Sequence, residues 1–200
     1  MNAAVERILA EGRTGDGLLA SGKGSRISTY IKWATRSPYS HYAQLVEARF
    51  CGQRELLVAE STMSSTIPDI VTVAAGKPEI IKGVQLHPFS KWVNAYQGEV
   101  WYCPLLDRLT FHEEKTLLDW IFEQRAKRVP YDLAQAMGAG IDFWDYWFSN
   151  EPDFDKLYCT EFALRGFQVI GRLGKDVNPS ESVPADMLIY DLLYQPEQVK

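Results

Sequence analysis

The sequence has few of the features from which metal, membrane or nucleic-acid binding is usually predicted. Its 200 residues include three cysteines and three histidines, and these do not occur in the paired spacing of a zinc site. No window approaches the roughly 20 apolar residues that a membrane-spanning helix needs. The net charge is −5 and no basic block is present, so nucleic-acid binding is not expected. We therefore predict a protein without a metal, a transmembrane segment or a nucleic-acid partner.

The cysteines Cys51, Cys103 and Cys159 are too few, and odd in number, to form a disulfide framework. Free thiols of this kind fit a reducing compartment. The first residues lack the basic start and continuous apolar core of a signal peptide, so a cytoplasmic location is predicted. Hydrophobic residues make up 46% and charged residues 24% of the chain, which is typical of a globular protein. The length fits a single domain, 1–200.

The hydrophobic patterns predict an α+β fold. Apolar residues that recur every three or four positions predict helices, and alternating ones predict strands. The predicted helices are 27–36, 112–129, about 158–170 and a proline-started segment at 184–194, with a turn or two at 131–139. The predicted strands are 16–20, 40–50, 55–61, 79–87 and 98–105. Because helices and strands do not alternate regularly, a mainly antiparallel sheet packed against helices is expected.

Cys159 is the first residue of an apolar stripe along the helix predicted from about 158 to 170. Thr160, Glu161, Arg165 and Gln168 are predicted to face outward. A helix N-terminus stabilises negative charge, which lowers the pKa of a thiol and favours the nucleophilic thiolate. Its backbone N–H groups can also bind an oxyanion. The alternative is an inert cysteine buried in the core.

His41 begins a predicted strand and is the candidate general base for this thiol. The alternative is a histidine with only a structural role. His87 precedes a proline at a strand end, and His112 begins a charged helix. Neither setting is typical of a base.

Glu60 is the candidate third member of the site. If strands 40–50 and 55–61 pair through a loop with an even number of residues, His41 faces position 62 or 64. Glu60 then lies on the same face of the sheet, where its carboxylate could orient the imidazole. A slip of one residue in the pairing would move Glu60 to the opposite face, where it would be an ordinary solvent-facing carboxylate.

Two other segments have patterns that allow both a functional and a structural interpretation. The stretch GLLASGKGS (17–25) is close to a phosphate-binding loop, but Gly24 replaces the hydroxyl that binds the metal, so we interpret it as a strand followed by a turn. The aromatic-rich segment 141–154, within a predicted insertion at about 140–157, could wall a pocket for an acyl chain. It could equally be core packing.

Together these segments resemble the circularly permuted branch of the NlpC-like papain superfamily. The matching pieces, in order, are GDGLL (15–19), SHYAQLV (40–46), VAES (58–61), VPYD (129–132), YCTEF (158–162) and PADML (184–188). In that branch the histidine precedes a polar partner and then the cysteine, as His41, Glu60 and Cys159 do here.

The resemblance implies a papain-like fold and a cofactor-free cysteine hydrolase that works through a Cys159–His41–Glu60 triad. Tyr131 is similar to a tyrosine near the cleft in NlpC-type enzymes, and is expected to contact the oxyanion or the substrate. The family implies cleavage of peptide or cell-wall amides. Related permuted enzymes such as lecithin retinol acyltransferase imply a lipid acyl hydrolase or acyltransferase as an alternative. A catalytically silent ligand-binding module is the third hypothesis.

Overall fold

A computed structural model of the chain describes residues 2–50, 53–63, 65–133, 136 and 156–200. Within these residues, six strands form one antiparallel sheet, which confirms the predicted α+β class with a mainly antiparallel sheet. The strands are β1 (Gly17–Gly22), β2 (His41–Phe50), β3 (Gln53–Thr62), β4 (Gly83–Pro88), β5 (Gly98–Cys103) and β6 (Glu197–Gln198). Their order across the sheet is β4-β3-β2-β1-β5-β6.

Helices cover both faces of this sheet. They are α1 (Ala3–Glu11), α2 (Arg26–Thr35), α3 (Ile70–Ala74), α4 (Phe89–Ala95), α5 (Phe111–Ala126) and α6 (Cys159–Val169), with short 3-10 helices at Pro179–Glu181 and Pro184–Leu188. None of the described helices is long and apolar enough to cross a membrane.

The two faces of the sheet have separate cores. On the first face, α1 and α4 pack on residues of the central strands such as Ala43, Leu45 and Val58. On the second face, α5 and α6 pack on residues of the opposite parity, such as Tyr42 and Ala59. This division follows from the alternation of side chains along each strand.

The β2–β3 hairpin has one of the two registers that the sequence analysis leaves open. Leu45 pairs with Val58 and Gln44 with Ala59. This register puts Glu60 opposite Ala43 and position 62 opposite His41. His41 and Glu60 therefore lie on the same face, two positions apart, as the hairpin argument requires.

Some predicted boundaries are wrong. The strand predicted from 79 begins only at Gly83, because Glu79 bonds instead to Asp69 and to the Thr72 hydroxyl. The helix predicted at 184–194 ends at Leu188, and Leu193 then forms a β-bridge with Leu105.

Helices α1, α3 and α4 are not predicted from the sequence. Residues 140–155 of the predicted aromatic insertion are outside the part of the chain that the structure describes.

Candidate active site

Cys159 is the first residue of α6, and the segment before it is fixed in three places. The Tyr158 hydroxyl donates to the carbonyl oxygens of Pro179 and Ser182, at 2.8 and 2.6 Å. The Ser61 hydroxyl of β3 donates to the carbonyl of Leu157 at 2.6 Å. Tyr158 provides no side-chain cap for the helix. The start of α6 is therefore held against the sheet while its N-terminal dipole points toward the thiol.

His41 bridges Cys159 and Glu60. Its Nε2 lies 2.6 Å from Glu60 Oε2, and the Cys159 thiol is close enough to the same ring for the two groups to shift each other's pKa. Because Nε2 is engaged by the carboxylate, Nδ1 is the ring nitrogen that remains available to the thiol. The backbone N–H of Tyr42 also helps to lower the pKa of Cys159. The structure thus brings the three predicted residues together where β2 begins.

The electrostatics of this cluster favour a thiolate beside an imidazolium. Burial lowers the pKa of His41, but the hydrogen bond and charge of Cys159, followed by those of Glu60, outweigh it and raise that pKa to about 10. Burial raises the pKa of Cys159, but the hydrogen bond and charge of His41 outweigh it, and the pKa of the thiol is lowered. Each ionised group stabilises the other.

Trp92 and Tyr96 are not predicted as site residues from the sequence, and His87 is considered there only as a base. The Trp92 side chain of α4 is among the groups that lower the pKa of Glu60, and His87 Nε2 of β4 lies 3.7 Å from Glu60 Oε1. The Tyr96 ring stacks on His41, with centroids 6.5 Å apart and planes inclined by 19°. A prediction of how β3 pairs with β4 would have placed His87 near Glu60. His87 pairs with Val58, and it therefore lies on the same face of the sheet as Glu60.

Tyr131 lies in the same small cluster as Tyr158, Ala136 and Cys159. Burial, followed by the charges of Cys159 and Asp132, raises the pKa of its phenol well above the usual value. The hydroxyl therefore keeps its proton over the whole neutral range and can act as a donor near Cys159.

A cavity of about 400 Å³ opens beside His41 and Glu60. Tyr131 and Ser40 line it near the triad, and Ile31, Ile67 and Trp92 supply apolar wall. The segment Gly22–Ser25, which resembles a phosphate-binding loop, forms part of the rim. It is the end of β1 followed by a turn, as the sequence predicts.

The prediction that Thr160 and Glu161 face outward is wrong, because both are fully buried. The 3-10 helix Pro179–Glu181 covers this side of α6. Its Ser180 hydroxyl donates to Glu161 Oε1 at 2.7 Å, and Arg165 contacts the same oxygen at 3.2 Å. Near Cys159, α6 therefore packs against the sheet on one side and against this 3-10 helix on another.

The other cysteines and histidines have different surroundings. Cys103 is buried in β5, and burial, only partly offset by the N–H of Leu19, raises the pKa of its thiol to about 12. Cys51 lies outside the described residues. His112 is exposed near the start of α5.

Comparison with known proteins identifies a fold relative. No protein-family model matches the chain, and no curated protein matches it significantly. Among solved structures, the metalloprotein yiiX of Escherichia coli O157:H7, a DUF1105 protein, superposes with a TM-score of 0.54 at 17% identity. The match covers 94% of this chain and 96% of that one. At this identity the likeness shows a shared fold.

The described residues do not fit a metal ion. Among them, no group of three or more histidine, cysteine, aspartate or glutamate side chains could hold one. Two histidine nitrogens of this region are engaged by protein acceptors: His41 Nε2 by Glu60, and His87 Nδ1 by the Pro68 carbonyl at 3.1 Å.

Proposed function

We propose that this protein is a cysteine hydrolase of the circularly permuted, NlpC-like papain type, acting through an acyl-enzyme on Cys159. One observation carries the proposal: the His41 ring lies between the Cys159 thiol and the Glu60 carboxylate, with 2.6 Å between Nε2 and Oε2. This is the nucleophile, base and orienting group of a thiol hydrolase.

In the proposed reaction, the Cys159 thiolate attacks the carbonyl carbon of an amide and forms a C–S bond. The carbonyl electron pair becomes an oxyanion, which accepts hydrogen bonds from the N–H groups at the start of α6 and from the Tyr131 hydroxyl. As the C–N bond breaks, His41 gives its Nδ1 proton to the leaving amine. His41 then takes a proton from water, which attacks the thioester and releases Cys159.

The preferred substrate class is a peptide or cell-wall-type amide, as the family resemblance implies. The apolar wall of the cavity beside His41 favours a second candidate, a lipid acyl ester, cleaved or transferred by the same acyl-enzyme. The two substrates differ in the acyl group that Cys159 would carry.

Alkylation of the native protein with iodoacetamide at pH 7 tests the reactive thiol. We expect Cys159 to be modified much faster than Cys103, whose thiol is neutral at this pH because burial raises its pKa. Peptide mapping by mass spectrometry locates the label, and the Cys159→Ser variant is the control. Labelling of Cys103 or Cys51 at the same rate as Cys159 would contradict the proposal.

Trapping the acyl-enzyme tests the substrate class. The protein is incubated separately with peptidoglycan fragments and with phospholipids, and intact mass spectrometry measures adducts on Cys159 after acid quenching. A peptidyl thioester supports the amidase and a fatty-acyl thioester supports the acyl hydrolase or transferase. If neither a thioester nor turnover is detected, the result favours the third hypothesis, a ligand-binding module without catalytic activity.

A further inference from the structure

His87 is a buried histidine that the proposed reaction does not use. It lies in β4 opposite Val58, on the same face of the sheet as Glu60, and its side chain has no exposed surface. Burying an imidazole is costly unless its nitrogens find partners. The identity of those partners determines how many protons the ring carries.

The atom that faces Nδ1 can only accept a hydrogen bond. It is the carbonyl oxygen of Pro68, at 3.1 Å. A carbonyl has no proton to give, so Nδ1 must be the donor. This contact fixes the ring and assigns one proton to Nδ1.

The atoms around Nε2 are also acceptors. Gln85 Oε1 lies 3.0 Å away and Ser65 Oγ 3.3 Å away, with the Glu60 carboxylate at 3.7 Å. The amide nitrogen of Gln85 points instead to two carbonyl oxygens, at 3.4 Å each, which supports this orientation of the amide. The Ser65 hydroxyl donates to the carbonyl of Ile67 at 3.0 Å. Nε2 is therefore placed to donate as well.

The nearest ionised partner of such a ring is Glu60. The other carboxylate of this region, Asp69, is occupied by Arg125, with contacts of 2.6 and 3.0 Å. Glu60 thus lies between two histidines, with Oε2 toward His41 and Oε1 toward His87. Burial raises the pKa of Glu60, but His41 and then the charge of His87 help to lower it on balance.

We propose that His87 is a positioning residue of this site: it donates from both ring nitrogens, and its positive charge keeps Glu60 ionised and aimed at His41. The chain of contacts then runs from Cys159 through His41 and Glu60 to His87. The effect on Cys159 rests on the proposed function, whereas the protonation of His87 can be measured without any activity.

Nuclear magnetic resonance tests the protonation directly. Ring 15N shifts are recorded at pH 7 in protein labelled with 15N-histidine, and the His87→Gln and His112→Gln variants assign the signals. We expect both nitrogens of His87 to have the similar shifts of a doubly protonated ring. A nitrogen without a proton in His87 of the wild-type protein would overturn the proposal, whether or not the variant folds.

The pH dependence of Cys159 alkylation tests the effect on the site. In His87→Gln, Glu60 should take up a proton at higher pH, and its support for the His41 imidazolium should then be lost. We expect the acidic limb of the alkylation rate to move upward by about one pH unit, whereas His112→Gln leaves it in place. If the acidic limb of His87→Gln stayed at its wild-type position, or if the alkylation rate fell equally at every pH, the positioning role would be contradicted. An unreactive Cys159 in the wild-type protein would instead defeat the proposed function, and the 15N shifts would still decide the state of His87.

Discussion

At the scale of single residues, the reactivity of Cys159 depends on the charge of its neighbour. Burial alone would keep both the thiol and the imidazole neutral, because it disfavours every isolated charge. Their mutual interaction, supported by Glu60 on the His41 side, reverses both shifts, so that the pKa of Cys159 falls and that of His41 rises to about 10. The thiolate–imidazolium pair therefore exists between these two pKa values, and Glu60 extends that range at its alkaline end.

Replacing Glu60 by glutamine tests this account. Without the carboxylate the pKa of His41 should fall, and the weaker imidazolium should let the pKa of Cys159 rise. We therefore expect the acidic limb of the pH profile of Cys159 alkylation to move upward by about one pH unit, which lowers the rate about tenfold where that limb is steep.

The rate of iodoacetamide labelling between pH 4 and pH 11 provides the measurement. Glu47→Gln is the matched control, because Glu47 lies in β2 but pairs with Arg54 instead of His41. If Glu60→Gln kept this acidic limb in place, the carboxylate would have no part in setting the ionisation of the pair.

At the scale of secondary-structure elements, the site depends on how the start of α6 is enclosed. Glu161 is buried beside Cys159, and both Ser180 and Arg165 are bonded to its Oε1 atom. This carboxylate joins α6 to the 3-10 helix at 179–181. A buried charged contact of this kind is costly to break, because it leaves its partners desolvated.

The variant Glu161→Ala should therefore lower the free energy of unfolding by about 3 kcal/mol. Urea denaturation followed by tryptophan fluorescence measures the change. The control is Glu123→Ala, which removes an exposed i,i+4 pair with Lys127 from α5 and should change the stability by no more than about 0.5 kcal/mol. Equal effects in the two variants would show that the buried contact contributes little.

The elements that the sequence predicts are those whose patterns are local. The β2–β3 hairpin and the helix at Cys159 follow from alternation and from helical spacing, and the hairpin register then places His41 and Glu60 on one face. Helices α3 and α4, of five and seven residues, span too few turns for a helical period to be recognised.

The remaining part of the site depends on contacts between distant segments. Trp92 and His87 reach Glu60 only because β4 pairs with β3 and α4 follows it. Glu161 is buried because a segment about 20 residues later in the chain covers it. The apolar periodicity of one helix does not show which distant segments pack on its polar side. For this reason the sequence pattern of α6 predicts an exposed Glu161, although the residue is buried.

At the scale of the whole molecule, a buried ion pair joins three elements on the His87 side of the sheet. Asp69, the N-cap of α3, accepts hydrogen bonds from Arg125 of α5 and from the N–H of Leu86 in β4. Burial raises the pKa of Asp69, but these donors, with Thr72, outweigh it and the pKa is lowered. A carboxylate with a lowered pKa stabilises the fold above its unfolded pKa of about 4. That stabilisation is lost as the pH falls through the folded value.

The variant Asp69→Asn should consequently be less stable than the wild type by about 3 kcal/mol at pH 7, because Arg125 remains buried without its charged partner. The difference should begin to shrink at pH 3, since the unfolded wild-type chain then binds a proton that folded Asp69, with its lowered pKa, resists. Urea unfolding at both pH values measures it. In the control Asp119→Asn, the lost partner is Lys115 in an exposed i,i+4 pair, and the stability should change little at either pH. A difference for Asp69→Asn that is the same at pH 7 and pH 3 would mean that its cost comes from packing and not from the charge.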